Sequence, residues 1–217
     1  MELTYIGHSC FKIKTKDLTL VIDPYNPKDV GYSLPKMSAD VVLTTHNHAD
    51  HNFVEGVEDC KLVIDRPGEY EKADVFIYGI STFHDEKSGG DRGLNTIYLI
   101  EADGINILHL GDLGHELSDE TLEKLSTVDV LLIPVGGTYT IDAEKATEII
   151  SEIEPAYVVP MHYKTSDLKG IEGLDPVEKF LDEMGKDKNV QKLDKLVLRT
   201  RSDIPEDTEV IILEPKH

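Results

Sequence analysis

Apolar residues arrive in short bursts along the first half of the chain, and their spacing is that of strands. Residues 3–6, 10–14 and 18–22 follow one another with only tight turns between them, which predicts an antiparallel meander; within the second, Cys10, Phe11 and Ile13 alternate imperfectly. Residues 41–45 (Val-Val-Leu-Thr-Thr) form a continuous apolar and β-branched run, the pattern of a strand buried on both faces. Further strands are predicted at 61–64, 75–80, 96–100 and 105–110, and Ala102-Asp103-Gly104 between the last two reads as a hairpin turn.

The period changes in the second half. Ser118 is placed to cap a helix running through Leu122 and Leu125, and Asp142 a second one whose Ala146, Ile149, Ile150 and Ile153 share a face. Asp175-Pro176-Val177-Glu178 combines a cap, a first-turn proline and a reciprocal glutamate ahead of the stripe Val177, Phe180, Leu181 and Met184, which Gly185 ends. Strands at 130–133 and 156–159 lie between the helices, and strands at 195–198 and 209–213 close the chain. No Pro-, Gly- or Ser-rich linker divides it. Its 217 residues suit one domain, 1–217, of α+β class, with two sheets packed together and helices outside.

Charge narrows the partners. The chain has 42 acidic against 22 basic residues, a net charge of −20, which repels nucleic-acid phosphates and anionic membranes. No apolar run approaches the ~20 residues of a membrane span. Met1-Glu2-Leu3-Thr4 lacks a basic segment followed by an apolar one, so a cytoplasmic location is expected. The expected partner is a small-molecule substrate, and self-association into a homo-oligomer is compatible with the sequence. Cys10 and Cys60 form no CxxC pair and read as small buried apolar residues.

The chemistry sits at strand ends. Directly after the strand at 41–45 come His46, His48, Asp50 and His51. Alternate residues of an extended segment point the same way, so His46 and His48 can reach one centre, while Asp50 and His51, beyond a turn, can address a second nearby. Imidazoles and a carboxylate together suit zinc, iron or manganese. Asp112 follows the strand at 105–110 through Gly111, and its two carboxylate oxygens can bridge two ions. His162 lies just past a buried strand. His84, after the strand at 75–80, could complete a three-histidine site with His46 and His48; His109 competes but sits inside its strand and reads as a packed residue.

These residues, in this order, resemble the metallo-β-lactamase fold superfamily, whose H-x-H-x-D-H element is followed by a His, an Asp at a strand end and a final His. The resemblance implies a four-layer αββα sandwich with two mixed sheets. It implies two divalent ions, zinc foremost with manganese or iron compatible: one held by His46, His48 and His84, the other by Asp50, His51 and His162, with Asp112 bridging and Asp23 orienting ligands from behind. Ile6-Gly7-His8-Ser9-Cys10, Gly136-Gly137-Thr138-Tyr139-Thr140 and Pro160-Met161-His162-Tyr163 look most like small hydrolases of the ascorbate-6-phosphate lactonase type. The expected activity is hydrolysis of a lactone or phosphodiester by water deprotonated between the two cations. Asp50 serves as ligand and proton acceptor, and His8 and His115 are candidates for contacting substrate. Two other readings compete: a mononuclear-iron oxidoreductase of the persulfide dioxygenase kind, and a metal-binding protein without turnover.

Overall fold

The computed structural model describes residues 1–185 and 190–217. In chain order the elements are β1 (Glu2–Gly7), β2 (Cys10–Lys14), β3 (Thr19–Ile22), α1 (Pro27–Val30), β4 (Met37–Ser38), β5 (Val41–Leu43), β6 (Val57–Glu58), β7 (Leu62–Ile64), β8 (Gly68–Lys72), β9 (Val75–Phe83), β10 (Leu94–Ala102) and β11 (Ile105–His109). There follow α2 (Asp119–Lys124), β12 (Val130–Pro134), α3 (Ala143–Ile153), β13 (Tyr157–Met161), α4 (Val177–Glu183), β14 (Gln191–Leu193), β15 (Leu196–Val197) and β16 (Glu209–Leu213).

Two mixed sheets result. The first runs β15-β1-β2-β3-β5-β7 and the second β14-β16-β13-β12-β11-β10-β9-β8. The meander of β1 to β3 is antiparallel; β3, β5 and β7 are mutually parallel. In the second sheet β8 to β11 are antiparallel, and β11, β12, β13 and β16 are parallel. Asp103 and Gly104 take positive φ of 54° and 75° in the β10–β11 turn, as a tight right-twisted hairpin requires.

Successive strand residues face opposite ways, so the continuous apolar runs feed two cores at once. Val41 and Leu43 join Tyr5, Phe11, Val130 and Leu132 between the sheets. Leu131 and Ile133 face outward, where Ala146, Ile149 and Ile150 of α3 and Phe180 and Leu181 of α4 cover them. On the far face of the first sheet, Val21 and Val42 pack under Tyr25, Val30 and Tyr32. The αββα order is as expected, but the layer over the first sheet is sparse: short α1, loops and the β4–β6 pair.

Several local expectations change. Gly68–Lys72 is a strand although Gly-Glu-Tyr-Glu-Lys carries almost no apolar signal; it is an edge strand with alternate residues in solvent. β9 continues to Phe83 and β10 begins at Leu94, which brings both strands up to the site. α4 is capped by Pro176 without a side-chain bond, because the Asp175 carboxylate accepts from Lys179 Nζ instead (2.7 Å). Cys10 is buried as expected, whereas Cys60 is half-buried and donates to the Leu62 carbonyl. Among the described residues no helix is long and apolar enough to cross a membrane.

Candidate metal centre

The expected ligands meet at one edge of the sandwich, and they come from both sheets. Asp23, His46, His48, Asp50 and His51 follow β3 and β5; His84, Asp112 and His162 follow β9, β11 and β13. Nitrogen and carboxylate donors fall into three groups whose atoms lie within 4.8 Å of one another: His46, His48 and His84; His46, His51 and Asp112; and His8, Asp50, His51 and His162. Asp112 is the hub. Its Oδ2 lies 3.3 Å from His51 Nε2, 3.3 Å from His84 Nε2 and 3.2 Å from His162 Nε2.

A metal is what this donor set fits. Among the described residues, His46 Nε2, His51 Nε2, His84 Nδ1, His162 Nδ1 and Asp112 Oδ1 are buried without any hydrogen-bond partner. Buried polar atoms are almost always satisfied, and a cluster of exceptions calls for an ion. Imidazole plus carboxylate matches zinc, manganese or iron.

Behind the ligands, Asp23 sets their orientation. It is fully buried. Its carboxylate accepts from Thr45 N (2.8 Å) and Thr45 Oγ1 (2.7 Å), and from His51 Nδ1 (2.9 Å). With its proton committed to Asp23, Thr45 Oγ1 can only accept from His46 Nδ1 (3.0 Å). One carboxylate thus turns Nε2 of both His46 and His51 toward the centre. Asp23 (φ 47°), His8 (φ 56°) and His162 (φ 52°) all hold left-handed backbone, strain of the kind that accumulates at functional sites.

Asn95 and His109 hold the bend before Asp112. Asn95 donates to Thr82 Oγ1 (2.8 Å) and the Leu110 carbonyl (3.0 Å), and accepts from Asp112 N (3.0 Å). His109 donates from Nε2 to the Ser9 carbonyl and accepts from Gly111 N, both at 3.0 Å, so it is a packed residue as expected; burial keeps it neutral. Asn95 is a residue the sequence reading missed: it sits just outside the strand predicted at 96–100 and serves a backbone N–H rather than the ligands.

His8 does reach the site. Its Nε2 lies 3.2 Å from Asp50 Oδ2, and its carbonyl accepts from Tyr5 Oη (2.8 Å) and His162 N (2.9 Å). Burial, aided by His162, pushes its pKa down to about 4, so at neutral pH it donates to Asp50 as an uncharged ring. It is a fourth donor beside Asp50, His51 and His162, one more than the resemblance implied. His115 is a correction. Its Nε2 accepts from Phe83 N (3.0 Å) and its Nδ1 donates to the Glu116 carbonyl (2.6 Å), so the main chain occupies both ring nitrogens and neither can serve a substrate.

Charges within the cluster are strongly perturbed. Burial favours an uncharged His51, but Asp112, Asp23 and Asp50 outweigh it and raise its pKa well above the usual value. Burial likewise opposes ionisation of Asp112 and Asp50, yet the neighbouring histidines hold both as carboxylates. An ion reaching His51 Nε2 must therefore displace a proton. Titration of zinc into the apoprotein at pH 7, followed calorimetrically in buffers of differing ionisation enthalpy, is expected to show proton release, with affinity rising as pH rises. Release of no protons would contradict this charge assignment.

A model of the beta-lactamase superfamily domain matches residues 2–162. The chain therefore belongs to the beta-lactamase superfamily. Within it, a UPF0173 metal-dependent hydrolase from Methanoculleus marisnigri is 31% identical over 76% of this chain and 82% of its own length. Another of that name, from Methanopyrus kandleri, is 25% identical over 99% of this chain and 97% of its own. A crystal structure from Thermotoga maritima, assigned provisionally as a Zn-dependent hydrolase of the metallo-β-lactamase superfamily, superposes with a TM-score of 0.79 at 36% identity, covering 99% of both chains.

Proposed function

We propose that this chain is a dinuclear metal hydrolase acting on a small ester-like bond, a lactone or a phosphodiester. The observation that carries the reading is Asp112: one carboxylate oxygen within 3.3 Å of Nε2 of His51, His84 and His162, set between two groups of donors. In this reading His46, His48 and His84 hold one ion and Asp50, His51 and His162 the other. Zinc is the first candidate, and manganese or iron suit the same donors. A divalent pair held there supplies Lewis acidity and lowers the pKa of water into the neutral range.

The chain's own residues then do three things. Asp50, ionised and lining the cleft, orients the attacking water and takes its proton. His8 holds that carboxylate from behind through Nε2. Asp112 fixes the relative positions of the donors on the two sheets. The names of the relatives, metal-dependent hydrolases, agree with this reading. The lactone end of the range draws on the likeness of residues 6–10, 136–140 and 160–163 to lactonases of the ascorbate-6-phosphate type.

The test is a hydrolysis screen on protein of measured metal content, covering phosphodiesters, lactones, thioesters and β-lactams, with Asp50→Ala beside the parent. The expected result is turnover of at least one lactone or phosphodiester, lowered ~100-fold or more in the variant, within the range for loss of a general base. No turnover of any class, or equal turnover in Asp50→Ala, removes the reading.

A further inference from the structure

Three cavities open around the donor cluster, and Arg92 lines all of them. The first, about 340 Å³, contains His48, Asp50, His84, Asp112 and His162 and is the cleft of the centre itself. The second, also about 340 Å³, adjoins it past His84 and Tyr139. The third, about 420 Å³, lies beside His46 and His48.

In a chain of net charge −20, the cations around these cavities are mostly spoken for. Lys87 pairs with Asp91 (2.7 Å), Lys145 with Glu86 (3.0 Å) and Glu116 (3.1 Å), and Arg66 with Asp65 (2.9 Å). Arg92 is different. Among the described residues its guanidinium has no carboxylate partner, and it is the sole Lys or Arg lining the central cleft. Its one hydrogen bond runs from Nη2 to the Thr138 carbonyl (3.1 Å), and its Cζ stands 5.6 Å from the centroid of the Tyr139 ring. Most of its N–H fork is thus uncommitted, while carbonyl and ring fix its direction.

The loop that presents it is closed by its own hydrogen bonds. The Asp85 carboxylate, buried beside His84, accepts backbone N–H groups from Lys87 (2.8 Å), Gly89 (2.9 Å), Asp91 (3.0 Å) and Arg92 itself (2.7 Å). The 84–93 segment closes through His84 N to the Gly93 carbonyl (3.0 Å). An exposed guanidinium on a hydrogen-bonded loop, steered by one carbonyl and left without a carboxylate, matches an oxyanion, which a guanidinium grips through two parallel bonds. Asp29 also lines the cleft, so no broad cationic field exists there and recognition is confined to one group.

We propose that Arg92 is the specificity residue: it binds a carboxylate or phosphate group that the substrate carries beside its scissile bond. The proposal rests on the hydrolase reading for its substrate class, and its test separates the two. The first arm uses binding. Calorimetry on zinc-loaded protein compares the dicarboxylates succinate, glutarate and adipate with butyrate. The best dicarboxylate is expected to bind ~10- to 100-fold tighter than butyrate, the range of hydrogen bonds to charged groups. Arg92→Ala is expected to lose that preference, and Arg92→Lys to recover part of it. A preference under threefold in the parent, or one retained in Arg92→Ala, overturns the proposal whatever the kinetics show. The second arm compares mono-4-nitrophenyl succinate with 4-nitrophenyl acetate. Arg92→Ala should raise KM for the anionic ester alone and leave kcat/KM for the neutral one within threefold; equal losses on both esters overturn the proposal. If neither ester, nor any substrate of the screen above, is turned over by the parent, the hydrolase reading fails and the binding arm alone decides the role of Arg92.

Discussion

Asp112→Ala is expected to abolish turnover, with a loss beyond ~10³-fold on any substrate the parent hydrolyses. The ground is its position rather than its type. Three histidine Nε2 atoms, from the ends of β5, β9 and β13, converge on one oxygen of this side chain. Its backbone N–H is fixed by Asn95, and Gly111 before it has φ 55° with Thr45 Cβ only 2.7 Å from where a Cβ would stand. The bend that carries the carboxylate is therefore fixed in place. Without it, His51, His84 and His162 lose the carboxylate oxygen they share. On the dinuclear reading, elemental analysis of the purified variant should find less than one ion per chain against an expected two in the parent. Two bound ions and near-parental activity in Asp112→Ala would refute the hub role.

Asp23→Ala should be the most damaging substitution among residues that touch neither substrate nor ion. Removing this carboxylate strands the Thr45 N–H and the His51 Nδ1–H in the interior, each costing about 1–3 kcal/mol. It also frees His46 and His51 to rotate or change tautomer, and such supporting partners are worth ~10- to 100-fold in metal affinity. The expected result is an unfolding free energy lowered by about 3 kcal/mol in denaturant titration, together with faster loss of metal to a chelator. Asp23→Asn keeps an acceptor for Thr45 N but turns an amide N–H toward His51, so it should recover stability more than affinity. A chelator competition unchanged in Asp23→Ala would show that the imidazoles are oriented by something else.

What was legible in the sequence depended on whether a residue's job leaves a pattern. The candidate donors follow buried strands, and a run such as Val41-Val42-Leu43 announces its own end, so His46 to His51 could be read from position, whereas Asp112 and His162 gained weight only beside that motif. Their grouping could not: the choice of His84 over His109 came from the superfamily resemblance, and in the structure His109 spends both nitrogens on the main chain. His115 looked equally eligible and is engaged in the same way, a fate that residue type cannot reveal. Asn95, Asp85 and Arg92 left no trace, because the first two satisfy backbone N–H groups in irregular segments, and the third matters for having no carboxylate partner among the described residues while Lys87, Lys145 and Arg66, which line the same cavities, each have one. β8 was hidden for the opposite reason: an edge strand with solvent on one side needs few apolar residues.

The origin of the ligands on two different sheets has a further meaning. Each proposed ion site takes donors from both sides of the sandwich, so an ion bound there would fasten the sheets together at the edge where polar side chains displace the apolar core. Binding free energy there is also folding free energy. A ligand present at a hundred times its dissociation constant adds about 2.7 kcal/mol to stability, a sizeable fraction of the whole for a protein of this size. On the proposed reading, the stability of the folded chain would rise with the free metal around it, so a cell short of that metal would hold a less stable protein as well as a less active one.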